Sequence, residues 1–139
     1  MKLSRRDLSA FLPALLVASA EGETPVLPSK TYPWEDMAVK KNAENGMEAR
    51  NVFKGPNRNG CVTGLHISSL PPGKSPHLPH RHAHEEMMLV REGMLDCMVS
   101  GKTSRIGPGG VFYVASNEEH GIKNVGSVTA QYFVVEFGA

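Results

Sequence analysis

The stretch Pro76-His77-Leu78-Pro79-His80-Arg81-His82-Ala83-His84-Glu85-Glu86 gathers four of the chain's six histidines and two adjacent carboxylates. Neutral imidazoles and carboxylates are donors for divalent Fe, Mn, Ni, Co or Zn, whereas thiolate-type sites need cysteine. The apolar run Met87-Met88-Leu89-Val90 follows at once, and Gly93 closes the segment. Alternate residues of a strand share a face. His80, His82 and Glu86 have the same parity and are expected to look into whatever the strand covers. A buried charge cluster without a partner is costly, and a cation is the natural partner. His84 shares that parity, but a bulge at Ala83-His84 would take it off the face, so it is expected near the rim. His77 sits between prolines and reads as a rim residue, and His66 as a structural histidine. Glu85 points opposite Glu86, toward solvent or a base such as Arg81. Glu118 and Glu119 read as a charged loop beside the site.

The elements that must hold this stretch are short. Met47 to Lys54, Cys61 to Leu70, the run up to Arg91, Met94 to Ser100, Thr103 to Ile106, Val111 to Ala115 and Ala130 to Phe137 read as strands. They are rich in β-branched and aromatic residues and are separated by turn clusters such as Gly55-Pro56-Asn57-Arg58-Asn59-Gly60 and Gly107-Pro108-Gly109-Gly110. Many short strands at regular spacing predict an all-β sandwich or barrel. Met88 and Val90 are expected to line a small, mostly apolar pocket with Phe112 or Tyr113 from a facing strand. Glu35 to Asn45 is charged and has no clean period, so only a short helix or turn is expected there.

The spacing His80-x-His82-x3-Glu86-x6-Gly93 resembles the first motif of the cupin superfamily. Pro108-Gly109-Gly110 and His120-x3-Asn124 resemble its second. Both occur in the family's order, from Cys61 to Phe137. The glycine spacing before Pro108 departs by one residue if Gly101 is the counterpart. The resemblance implies a jelly-roll, double-stranded β-barrel and a metal held by His80, His82, Glu86 and His120. Three neutral imidazoles and one carboxylate would leave a divalent site near +1, able to attract an anionic oxygen. A small-molecule ligand or substrate and a homodimer are the implied partners. Metal-dependent, dioxygenase-like chemistry is favoured over an isomerase, because the pocket reads apolar and no cluster of Lys and Arg offers to hold a phosphate. Glu86 is the residue expected to act as base. The alternatives are a non-catalytic module that captures a sugar or carboxylate, and a metal-free cupin that works by dimerising.

The remaining sequence bounds the setting. The chain has 139 residues and a formal net charge of +1, which fits one domain. No basic stripe with interleaved aromatics suggests nucleic acid. Residues 1–20 read as a signal peptide: a basic head, an apolar run from Leu8 to Val17 and the cleavage motif Ala18-Ser19-Ala20. Arg5-Arg6 resembles the twin-arginine export signal, although Leu8 and Ser9 depart from its usual pattern. The expectation is a periplasmic or secreted protein with no membrane association after signal removal. Residues 21–45 read as a Pro-rich arm. Trp34 either anchors that arm on the barrel or a second subunit, or packs in the core. Residues 46–139 form the expected barrel domain. Cys61 and Cys97 could be joined or free.

Overall fold

The computed structural model describes residues 24–138, and the signal-peptide reading of residues 1–20 lies outside the described residues. Nine strands follow one 3-10 turn at Trp34–Asp36. They are β1 (Val39–Lys41), β2 (Glu48–Pro56), β3 (Val62–Leu70), β4 (Glu85–Glu92), β5 (Leu95–Val99), β6 (Lys102–Ile106), β7 (Val111–Val114), β8 (His120–Asn124) and β9 (Ala130–Phe137). A six-stranded sheet runs β1-β2-β3-β9-β4-β7, and a three-stranded sheet runs β6-β5-β8. Every pairing is antiparallel. The fold is therefore all-β, two sheets wrapped into a jelly-roll barrel, as the run spacing predicts.

The core lies between the sheets. Leu70, Val90, Leu95, Ile122, Tyr132 and Val134 are buried there with Met88 and Cys97. Burial alternates along β4 and β9, so each strand gives one face to the interior. The chain passes from the large sheet to the small one at Gly93, whose φ is +85°. A Cβ built there would lie 2.6 Å from the Ala130 Cα, against backbone that cannot swing aside. Only glycine tolerates both the left-handed conformation and that approach.

Two strands escape the sequence reading. β8 is missed because His120-Gly121-Ile122-Lys123-Asn124 has neither a β-branched run nor alternation: four of its five residues are buried. β1 is missed because all three of its residues are exposed. It is held by backbone pairing to β2, through Val39 with Arg50 and Lys41 with Glu48. The segment before it also lies against β2. The Leu27 amide donates to the Pro56 carbonyl at 2.9 Å, and the Tyr32 and Phe53 rings meet at 5.6 Å. The Arg50 guanidinium lies 4.3 Å from the Trp34 ring centre, and its Nη1 donates to the Met37 carbonyl at 2.8 Å. Trp34 thus anchors the arm on the barrel by a cation–π contact and is not a core residue, being 39% exposed.

Candidate metal centre

The histidine stretch does not lie on one strand. β4 begins only at Glu85, so strand parity cannot be what aligns His80 and His82 with Glu86. The alignment comes from two backbone clamps. His80 and His120 form an isolated antiparallel bridge, each amide donating to the other's carbonyl at 3.0 Å. The Asn117 amide donates to the His82 carbonyl at 2.8 Å. Asn117 adopts φ +62°, a conformation asparagine tolerates better than most residues. Glu86 then enters from the first turn of β4's inner face, buried.

The three imidazoles form a nearly equal-sided triangle. Ring centres lie 5.1 Å apart for His80 and His82, 4.7 Å for His80 and His120, and 4.6 Å for His82 and His120. One donor atom from each lies within 4.8 Å of the others. Glu86 closes the fourth side: its Oε2 is 3.6 Å from His82 Nε2 and its Oε1 is 3.9 Å from His120 Nε2.

Hydrogen bonding fixes what two of these rings offer. His82 Nδ1 sits 2.8 Å from the His84 carbonyl, and His120 Nδ1 sits 2.9 Å from the Glu118 carbonyl. A carbonyl only accepts, so each Nδ1 carries a proton, and in the neutral ring Nε2 is then the nitrogen with the lone pair. His82 Nε2, His120 Nε2 and His80 Nδ1 are buried and have no hydrogen-bond partner among the described residues. Buried polar atoms are nearly always satisfied, and three orphans aimed at one point are the arrangement a cation would complete. Electrostatics agree. Burial, then the neighbouring His77, His120 and His82, hold His80 below the ordinary imidazole range, so it stays neutral. Burial pushes the Glu86 carboxyl above the usual range, with His82 opposing the shift. The residues present therefore fit a divalent ion.

The site opens into a cavity of about 290 Å³. All six histidines of the chain line it, His66, His77 and His84 included. His77 stands edge-on to His80 at 4.1 Å, as a rim residue, while His84 stacks on His82 at 3.6 Å. His84 also falls in a second donor group with His82 and Glu86, closer to the centre than a bulge off the face would put it. His66 also lines the cavity. The expected walls need correction too. Met88 lines the cavity, but Val90 lies deeper in the core. β7 pairs beside β4 in the same sheet instead of facing it, so Phe112 packs on the core and Tyr113 is 53% exposed. Tyr132 and Val134 of β9, Ile122 of β8 and Met47 supply the apolar walls. Glu85 raises the Tyr113 hydroxyl above its ordinary range from close by, and Arg81 instead reaches Glu119 at 3.9 Å. Cys61 and Cys97 are both free.

Two antiparallel sheets wrapped around a three-histidine, one-carboxylate cluster that could hold a metal ion define a class of jelly roll. The cupin domain family matches residues 66–136, half of the chain, and this chain belongs to it. Solved structures agree in fold. An RmlC-like cupin from Shewanella frigidimarina superposes with a TM-score of 0.67 at 17% identity, covering 81% of this chain and 93% of the other. The polyketide cyclase RemF from Streptomyces resistomycificus gives 0.65 at 23% identity, covering 81% of each chain. A predicted oxalate decarboxylase from Thermotoga maritima gives 0.64 at 20% identity, covering 79% of this chain and all of the other. No curated protein matches the chain.

Proposed function

We propose that this cupin is an exported, metal-dependent enzyme acting on a small organic substrate, with His80, His82, Glu86 and His120 as its metal ligands. The observation that carries the reading is the three buried imidazole nitrogens without partners, converging beside a buried carboxylate. Bound there, divalent Fe, Mn, Ni, Co or Zn would supply a Lewis acid and a template for oxygen or proton-transfer chemistry. The chain's own residues do the rest. The backbone clamps on His80 and His82 hold the donors in place before any substrate enters. Met88, Ile122, Tyr132 and Val134 exclude water from the inner wall. Glu86 directs both oxygens into the cluster, so that one can hold a ligand position while the other takes a substrate proton.

Dioxygenase-like chemistry is favoured over phosphate-ester chemistry because no Lys or Arg is among the residues lining the cavity. The test is elemental analysis of protein purified without added metal, followed by oxygen uptake on a panel of small enols and carboxylates. One equivalent of metal and uptake with at least one compound supports the reading. Tight binding without turnover assigns a ligand-capture module instead.

Export and dimerisation belong to the same proposal. Changing Arg5-Arg6 to Lys-Lys is expected to abolish export, and unchanged export removes the twin-arginine route. Leu89 and Val111, directly opposite across β4 and β7, are both exposed and support a homodimer, which light scattering would detect.

A further inference from the structure

One row of residues crosses the large sheet at the level of the metal cluster. Lys54 of β2 pairs with Gly64 of β3, Gly64 with Glu136 of β9, and Glu136 with Glu86 of β4. Glu136 and Glu86 are therefore direct cross-strand neighbours, a placement that is unfavourable for two like charges. Lys54 relieves it: its Nζ lies 2.8 Å from Glu136 Oε2. Gly64 makes the reach possible, because a Cβ there would lie 2.8 Å from that same oxygen. Lys54, Gly64 and Glu136 thus form one device spanning three strands.

The device faces two ways. Glu136 and His66 line the metal cavity and also a second cavity of about 360 Å³. Lys54 lines only the second. Glu136 thus borders both cavities, and the ammonium that holds its Oε2 borders only the second. Glu136 belongs to neither group of donor atoms close enough to share an ion, so it is not placed as a metal ligand. Stability does not explain it well. A half-exposed ion pair contributes little, and setting a second carboxylate beside buried Glu86 has a cost.

We infer that Glu136, held by Lys54 across Gly64, is a specificity-determining residue that accepts a hydrogen bond from a substrate hydroxyl. The substrate class is a small hydroxylated acid or enol. Its anionic oxygen goes to the +1 metal centre, its apolar middle lies along Met88 and Val134, and its hydroxyl reaches Glu136. A second carboxylate at that end is rejected by charge. This rests on the metal-dependent reading above.

The test is calorimetric titration of metal-loaded full chain with matched acids: acetate and glycolate, propionate and 3-hydroxypropionate, butyrate and 4-hydroxybutyrate, benzoate and 4-hydroxybenzoate. At least one pair is expected to favour the hydroxylated member by about tenfold or more. Glu136→Met should reduce that preference to less than about twofold with metal content kept, while the plain acid, no longer facing the Glu136 charge, binds at least as tightly as to the parent. Gly64→Ala, which displaces the carboxylate without removing it, should do the same, and Glu136→Gln guards against a misfolded variant by keeping size and one acceptor. A preference that survives both Glu136→Met and Gly64→Ala, or no preference in any pair, overturns the inference while the metal reading stands. A parent protein that holds no metal overturns that reading and the inference with it.

Discussion

His120 and Asn124 stand at the two ends of β8, on the same face and equally buried, and they solve opposite problems. Asn124 is fully satisfied. Its Nδ2 donates to the carbonyls of Leu70 and Val128, both at 2.8 Å, and its Oδ1 accepts from the Gly126 amide at 2.9 Å. It ties the end of β3 to the β8–β9 turn. His120 is satisfied on one nitrogen only, and the other points at two more orphaned imidazoles. A buried polar group with every partner in place holds a fold together. One left without a partner costs stability and is kept where function needs it.

The largest effect separates the two residues outright. His120→Phe keeps an aromatic of similar shape but removes a donor. Metal affinity should fall by about a thousandfold or more, read by metal content after dialysis. The metal-free protein should stay within about 1 kcal/mol of the parent in denaturant unfolding, because the lost bond to the Glu118 carbonyl is offset by burying an apolar ring. A large loss of metal-free stability would make His120 a structural residue like Asn124.

Asn124→Ala should show the reverse. It strands two carbonyls and one amide in the interior, at a cost of about 3 kcal/mol in unfolding free energy. The folded fraction should still bind metal with parental stoichiometry. An effect below about 1 kcal/mol would mean that water replaces the amide, and the contrast would fail.

Glu86→Gln sharpens the comparison through pH. The raised carboxyl means that folded Glu86 binds its proton more tightly than the unfolded chain does, from burial first. In metal-free protein its stabilising proton is fully present below the unfolded value of 4.5 and is lost as pH rises through the elevated folded value. Glu86→Gln removes that loss. Metal-free variant should be more stable than metal-free parent by about 1 kcal/mol at pH 8, with the gain shrinking to nothing in acid. Added metal should invert the order, stabilising the parent alone. A variant less stable than the parent at pH 8 without metal would show that Glu86 is satisfied by the fold itself.

Most of the architecture is written locally. β4 ends where expected but starts only at Glu85, and the strands that alternate or carry β-branched runs, β2, β3, β5 to β7 and β9, fall within a residue or two of their expected bounds. β8 does not, because strand periodicity reports a half-buried strand and β8 is buried on nearly every residue. β1 does not, because its exposed Val39-Lys40-Lys41 is held only by backbone pairing. The cluster residues His80, His82, Glu86 and His120 were legible as motif spacing, but strand parity was the wrong reason for it. Loop clamps from His120 and Asn117 do that work, and no local pattern encodes them. Glu136 and Lys54 were invisible for a related reason. Their meeting depends on the register of three strands distant in sequence and on the missing side chain of Gly64.

Cys97 supplies the third case, a buried group that needs no partner at all. It sits on β5 opposite Ile122, midway between His120 and Asn124, in the apolar core. A thiol is a weak donor and packs as a small hydrophobe, so its burial strands nothing. Burial, then the nearby Asp96 carboxylate, pushes it up to about 12. The thiolate that would alkylate or bind a metal is therefore scarce at neutral pH. Native protein at pH 8 should take up one equivalent of iodoacetamide, at half-exposed Cys61, and a second only on unfolding. Cys97→Val should change unfolding free energy by less than about 1 kcal/mol and leave metal content untouched. Rapid labelling of both thiols in the native state would mean that the interior beside β8 opens freely, and the unpartnered His120 Nε2 would then reflect loose packing instead of a donor held in place.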